Sequence, residues 1–123
     1  MTGLAMRAGY CARWLRVLAD ETRLAVVQEL MDGPRHVGEI NRRLQVEQSL
    51  LSHHLQVLRR AGMVVSERDG KAVRYRLAPG LRSTSTANAI QLGCCVISFD
   101  RNLPQQNADA RLPPAPRRNR SKK

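Results

Sequence analysis

Aromatic residues are scarce in this 123-residue sequence, and their scarcity argues against one way of binding nucleic acid. Proteins that bind single strands stack the bases on several exposed aromatic side chains, and this chain has too few for such a platform. Its core must instead be built from Leu, Val, Ile and Ala. The aromatic residues are Tyr10, Trp14, Tyr75 and Phe99.

The sequence patterns of catalysis are also missing. There is no glycine-rich phosphate loop, no pair of carboxylates with catalytic spacing and no Cys/His dyad. A chain of this length supports one modest core and leaves no room for a two-domain enzyme or a large cofactor-binding fold. We therefore expect a protein that is not an enzyme.

Acidic residues are few, and the resulting charge indicates the class of partner. The chain has 10 Asp and Glu against 21 Lys and Arg, for a net charge of +11. Such an imbalance favours a polyanionic partner. Over half of the excess lies in residues 101–123, which hold 7 basic and 1 acidic side chains. This tail has too few large apolar residues to fold, so we predict a disordered basic extension that either solubilises the protein or adds phosphate contacts.

Long apolar runs and paired cysteines are absent as well. Three arginines, Arg7, Arg13 and Arg16, interrupt the N-terminal segment, which excludes a signal peptide or a membrane span there. The three cysteines lack the even number and spacing of a secreted disulfide scaffold. We therefore expect a cytoplasmic protein with no membrane partner.

The apolar spacing that is present predicts four helices and a hairpin. Leucines and valines recur three and four residues apart over residues 12–19, 22–31, 37–44 and 48–61. Two short strands at residues 63–66 and 72–77 flank Asp69-Gly70, a strong hairpin-turn signal. Together these elements predict a mainly α fold with a small β-hairpin wing, the winged helix-turn-helix. We assign residues 1–80 to this DNA-binding domain, residues 81–100 to a C-terminal extension with one strand at 90–99, and residues 101–123 to the tail.

The segment at residues 48–61 carries the main candidate site. Leu51, Leu55 and Leu58 form one buried stripe, and the opposite face carries short or planar hydrogen-bonding groups rather than mixed ion pairs. Such groups can bond base edges in the major groove, which admits one helix. The candidate base-reading residues are Gln48, Ser49, Leu50, Ser52, His53 and Gln56. The candidate phosphate-binding residues of the wing are Arg68, Lys71, Arg74 and Arg76.

Three sequence runs carry a family resemblance. They are LADETRL at residues 18–24, QSLLSHHL at 48–55 and LRRAGMV at 58–64, followed at hairpin spacing by Asp69-Gly70 and Tyr75-Arg76-Leu77. In these runs the sequence resembles the ArsR family of bacterial repressors. The resemblance implies a homodimer that binds double-stranded operator DNA and releases it when a metal, a metalloid or another signal arrives. The helix at residues 48–61 would then be the recognition helix.

Two residues near the start of this helix depart from the family pattern. Leu50 stands where the family often has Thr, so a hydroxyl contact is replaced by an apolar group suited to a thymine methyl. Glu47 stands where a Ser N-cap is common, which predicts a weaker cap and a negative charge near phosphate. The sequence preference of this chain is therefore expected to differ from that of relatives.

Metal sites known in the family are absent from their usual places. The matching third-helix stretch is His36-Val37-Gly38 instead of Cys-Val-Cys, and residues 81–99 contain no His, Asp or Glu for a zinc site. His53 and His54 point about 100° apart on a helix and do not converge on one ion. We expect His53 to face DNA and His54 to be packed and hydrogen-bonded.

The remaining candidate is a thiol set formed by Cys11, Cys94 and Cys95. It resembles relocated thiolate sites in which some family members bind trivalent arsenic, and three soft thiolates suit As(III) or another thiophilic effector. Neighbouring residues on a strand point to opposite faces, so both C-terminal cysteines face one side only if Gly93 provides a turn or bulge. The alternative is that these cysteines simply pack in the core.

The sequence is compatible with two functions. The leading one is a homodimeric transcriptional repressor with Tyr10, Trp14 and Leu18 of the first helix at the dimer seam. The alternative is a basic winged helix that binds RNA or the ribosome.

Overall fold

A computed structural model describes residues 2–100 of the chain, and side chains from residue 8 onward. The predicted tail at residues 101–123 lies outside the described part. The described chain has four helices: α1 (Thr2–Leu18), α2 (Glu21–Leu30), α3 (Val37–Leu44) and α4 (Gln48–Arg60). The predicted bounds of α3 and α4 are confirmed to within one residue, whereas α1 begins ten residues before its predicted start. No helix within residues 2–100 has the length and apolar character needed to cross a bilayer.

The turn between α3 and α4 is fixed by backbone geometry and one side chain. Gln45 adopts a left-handed conformation with φ of 53° and ends α3. The side-chain amide of Asn41 then donates a hydrogen bond to the carbonyl oxygen of Val46. These two features set the direction in which α4 leaves the turn, so they position the recognition helix.

Three antiparallel strands form the wing sheet in the order β1-β3-β2: β1 (Arg35–His36), β2 (Val64–Asp69) and β3 (Ala72–Leu77). The predicted hairpin is confirmed, with Gly70 at a φ of 67° in its turn. Sequence analysis missed β1 because two residues are too short to show a period. Its pairing of His36 with Arg74 ties the start of α3 to the wing.

The C-terminal extension differs from its prediction. Instead of one strand at residues 90–99 it forms a two-stranded hairpin, β4 (Ala89–Gln91) and β5 (Val96–Ser98). The strand is interrupted because Gly93 has a φ of 88°, which a residue with a side chain rarely adopts. The expected turn at Gly93 is therefore present, and Cys94 and Cys95 lie within it.

One core joins the helices, the wing and this hairpin. The predicted stripe of α4 is confirmed, since Leu51, Leu55 and Leu58 are fully buried. Leu15 and Leu18 both belong to the apolar pattern of residues 12–19, but the side chain of Leu15 is 43% exposed whereas Leu18 is buried. The other main core residues are Val26, Val27, Leu30, Ile40, Met63, Val64, Leu81, Ile90 and Leu92. The architecture is the predicted winged helix-turn-helix.

Candidate nucleic-acid interface and thiol cluster

The outward face of α4 presents all six predicted base-reading residues to solvent. Among them Leu50 is 46% exposed, which is high for a large apolar side chain on a small domain. An exposed leucine between polar neighbours is suited to contact a thymine methyl group. All six side chains are exposed on one helix: Gln48, Ser49, Leu50, Ser52, His53 and Gln56.

The start of α4 is capped by Glu47, contrary to the expectation of a weakened cap. Its Oε1 accepts hydrogen bonds from the backbone N–H of Leu50 at 3.0 Å and from the hydroxyl of Ser49 at 2.6 Å. These bonds, led by that of the Ser49 hydroxyl, hold the pKa of Glu47 below its usual range. The longer glutamate side chain thus replaces the serine cap. It also engages the hydroxyl proton of a predicted base-reading residue.

The two neighbouring histidines of α4 take the different environments predicted for them. His53 is exposed on the same side of α4 as the other predicted base-reading residues. His54 is only 7% exposed, and its Nδ1 lies 3.2 Å from a guanidinium nitrogen of Arg23. Its Nε2 lies 3.8 Å from a carboxylate oxygen of Asp20. His54 therefore connects the recognition helix to the start of α2 and is not a free metal ligand.

The four basic residues of the wing do not form a single surface. Arg74 and Arg76 lie on one face of β3, where both guanidinium groups contact the carboxylate of Glu67, at 3.3 and 3.4 Å. Arg68 lies on the other face, because strand side chains alternate. Both Arg68 and Lys71 are exposed near the hairpin turn. Among residues 2–100, Arg68 and Lys71 form no ion pair, so the positive charge of the wing is least neutralised at its tip.

The three predicted thiol residues come together at one place. Cys11 of α1 and Cys94 of the β4–β5 turn form a disulfide with an S–S distance of 2.02 Å. The free Sγ of Cys95 lies 3.7 Å from the sulfur of Cys11 and 3.8 Å from that of Cys94. All three cysteines remain partly accessible. Sequence reasoning expected no disulfide scaffold, and a pair separated by 83 residues shows no local pattern that would reveal it.

The family model described as "Bacterial regulatory protein, arsR family" matches residues 20–66, which run from the cap of α2 into β2. The HTH-type transcriptional regulator CmtR of Mycobacterium tuberculosis is 34% identical over 99 residues, covering 80% of this chain and 81% of CmtR. The chain belongs to the ArsR family.

Solved structures agree with this assignment. Reduced HlyU from Vibrio cholerae superposes on the ArsR-family chain with a TM-score of 0.61 and 33% identity, covering 69% of this chain and 85% of HlyU. The transcriptional repressor BigR from Xylella fastidiosa gives a TM-score of 0.59 and 36% identity, covering 62% of this chain and 75% of BigR. The ArsR-family chain is therefore a DNA-binding transcriptional regulator with a winged helix-turn-helix, and it is not an enzyme.

Proposed function

We propose that this protein is a homodimeric repressor that acts in the cytoplasm and reads its operator with α4. The observation that carries the proposal is the exposed face of that helix, where small polar side chains surround Leu50. Groups of this kind contact base edges, whereas a purely solvated face would carry more Glu and Lys. A dimer presents two such helices and doubles the length of DNA that is read.

Different roles are proposed for α4 and for the wing. Ser52 and Gln48 contact bases and set the preference between sequences. Arg68 and Lys71 at the wing tip contact phosphates, which adds affinity for any duplex through counterion release. Arg74 and Arg76 contribute less in this proposal, because Glu67 already offsets part of their charge.

The test is a fluorescence-anisotropy titration against the DNA upstream of the protein's own gene, beside a scrambled duplex of equal length at equal salt. We expect the upstream duplex to bind tighter by several kcal/mol, as sequence-specific regulators do. Ser52→Ala should reduce this preference by about 1–3 kcal/mol. Lys71→Ala should weaken both duplexes alike and make the salt dependence shallower.

Two outcomes would contradict these roles. If Lys71→Ala changes the sequence preference and Ser52→Ala does not, the assignment of base and phosphate contacts is wrong. If folded RNA binds at least as tightly as both duplexes, the RNA-binding alternative replaces the operator model.

We further propose that a thiol-reactive effector such as arsenite releases the repressor from DNA. The support is the convergence of three sulfurs from two distant segments of the chain. Soft thiolates favour thiophilic ions over hard ones. The Cys94→Ser/Cys95→Ser double variant should bind the operator and keep it when arsenite is added. Unchanged release from this variant would contradict the effector site.

A further inference from the structure

We propose that the three sulfurs form a redox-gated site, in which a thiophilic ion and the Cys11–Cys94 disulfide compete for the same two sulfur atoms. The inference rests on the proposed thiol-reactive effector and specifies its site and the condition under which it binds. The disulfide form is closed to the ion, and the reduced form is open. Oxidants and thiophilic ions are therefore alternative inputs to one cluster.

The position of Cys95 carries the fit to an ion. A thiolate-bound metal with bonds of about 2.3 Å and tetrahedral angles holds its sulfurs about 3.8 Å apart. The sulfur of Cys95 already lies at 3.7 and 3.8 Å from the other two sulfurs. Only the distance between the sulfurs of Cys11 and Cys94 is too short for an ion to bind both, because these two sulfurs are bonded to each other. Opening that single bond leaves three neighbouring thiols, with Cys95 already at the spacing of a tetrahedral thiolate site; pyramidal arsenic(III) would draw the three sulfurs somewhat closer together.

Packing keeps the two segments together when the bond opens. A Cβ atom on Gly93 would lie 3.4 Å from the hydroxyl oxygen of Tyr10, so α1 contacts the β4–β5 turn directly. The backbone N–H of Leu92 donates a hydrogen bond of 2.9 Å to the carbonyl oxygen of Cys95, which closes this turn. Cys95 also packs against the hydrophobic core. Contacts that do not depend on the disulfide therefore keep the sulfurs close together.

The chemistry of the gate balances with simple reagents. A two-electron reductant, such as a cellular dithiol, breaks the S–S bond and gives two thiols while the dithiol becomes a disulfide. Arsenous acid then loses its three hydroxyl groups, three As–S bonds form, and the three thiol protons leave in three water molecules. In the opposite direction, hydrogen peroxide takes two electrons from the thiols of Cys11 and Cys94 and is reduced to water. Neither route leaves both the disulfide and the bound ion on one chain.

Arsenite binding to the full-length protein, without DNA, tests the gate. The protein is reduced with a phosphine, which unlike a dithiol does not compete as a thiol ligand, and is compared with the untreated disulfide form. Native mass spectrometry and near-ultraviolet thiolate-to-arsenic absorption report the bound ion. We expect one arsenic per reduced chain and binding at least about a hundredfold weaker to the disulfide form. The arsenic-loaded chain should also resist disulfide formation by hydrogen peroxide.

A single-thiol variant separates the ion from the disulfide. Cys95→Ser keeps the disulfide pair, and after reduction it should bind arsenite more than about tenfold more weakly, because one of three thiolates is lost. Cys95→Ala serves as the second variant if serine disturbs the core at this position. Equal arsenite binding by the reduced and disulfide forms would overturn the gate, as would full affinity in both Cys95 variants.

The outcomes also separate this inference from the proposed release of DNA. Redox-dependent arsenite binding without release would leave the gate standing and contradict the effector function. Release of DNA by arsenite from both redox forms would support an effector and contradict the gate.

Discussion

At the scale of single residues, Asp20 connects stability to pH. Its Oδ1 accepts hydrogen bonds from the backbone N–H groups of Thr22 and Arg23, at 2.9 and 3.0 Å, and so caps α2. Burial raises the pKa of Asp20, but the Arg23 backbone bond and the charges of His54 and Arg23 outweigh it, and the pKa lies below its usual value. A carboxylate with a lowered pKa stabilises the fold above its unfolded pKa, and this contribution is lost as the pH falls.

We therefore predict that Asp20→Ala lowers the free energy of unfolding by about 1 kcal/mol at pH 7. The difference from the native chain should shrink as the pH falls below about 4, because the carboxyl of the unfolded chain is protonated there first and that of the folded chain only at lower pH. Urea unfolding at several pH values measures both effects. Asp20→Asn is the matched control, because it can cap the helix without a charge and should remove the pH dependence at little cost near pH 7. If Asp20→Asn lowers the free energy of unfolding at pH 7 as much as Asp20→Ala does, the contribution of Asp20 comes mainly from its charge and not from its hydrogen bonds as a cap.

Glu47 is the second residue-scale case, since it places a carboxylate at the end of α4 where the predicted base-reading residues begin. In the proposed complex with DNA its negative charge opposes the phosphates, and its bond to Ser49 competes with any base for that hydroxyl. Glu47→Gln is predicted to raise the affinity for the operator and for a scrambled duplex alike, as measured by anisotropy. The control is Glu21→Gln, an exposed glutamate in the first turn of α2. Equal effects of the two substitutions would mean that only net charge matters.

At the scale of elements, the turn before α4 carries a backbone cost. Gln45 is a non-glycine residue with φ of 53°, a region in which side chains are disfavoured. Gln45→Gly is predicted to stabilise the fold by about 0.5–1 kcal/mol. Gln56→Gly, within the exposed face of α4, should instead cost about 1 kcal/mol. Thermal unfolding should show a higher melting temperature for Gln45→Gly and a lower one for Gln56→Gly. Destabilisation by Gln45→Gly would instead show that the side chain of Gln45 stabilises the turn.

Elements were predictable from sequence where a period or a turn signal extended over many residues. The stripe of Leu51, Leu55 and Leu58 fixed the buried face of α4, and Asp69-Gly70 fixed the hairpin turn. Strand β1 was missed because its two residues exist as a strand only through pairing with β3. The break at Gly93 depends on a positive φ, which sequence suggests without requiring.

At the scale of the whole molecule, the candidate sites also differ in whether local sequence or long-range contacts determine them. The exposed polar face of α4 was predictable because it is contiguous on one helix. The three thiol residues could be named from their type and number, but the disulfide between Cys11 and Cys94 was not predicted, because α1 and the β4–β5 turn are 83 residues apart in sequence and meet only after the core has assembled. Glu67 partly neutralises the charges of Arg74 and Arg76, and this too depends on which residues of β2 and β3 pair across the hairpin. Long-range contacts thus decide which charges and sulfurs are available for function.

Assembly is the last whole-molecule question, and the exposed apolar residues of α1 make it testable. Leu18 is buried in the protein's own core and so is not at the seam predicted for it, whereas Tyr10 and Leu15 are 50% and 43% exposed. We predict that Leu15→Glu raises the dimer dissociation constant by at least about tenfold, because association would bury an unpaired charge. Light scattering at micromolar concentration should then show a lower mass, and operator affinity should fall because each monomer reads one half-site.

Leu50→Glu is the matched control for this prediction, since Leu50 is about as exposed as Leu15 but lies on the predicted base-reading side of α4. It should keep the dimer mass and still weaken operator binding, because it removes the proposed apolar contact with a base and brings a negative charge against the polyanionic DNA. A monomeric mass for the native protein would contradict the homodimer itself. A dimeric Leu15→Glu variant with native operator affinity would retain the dimer but move its interface away from this part of α1, and Tyr10→Glu would then test the other exposed residue.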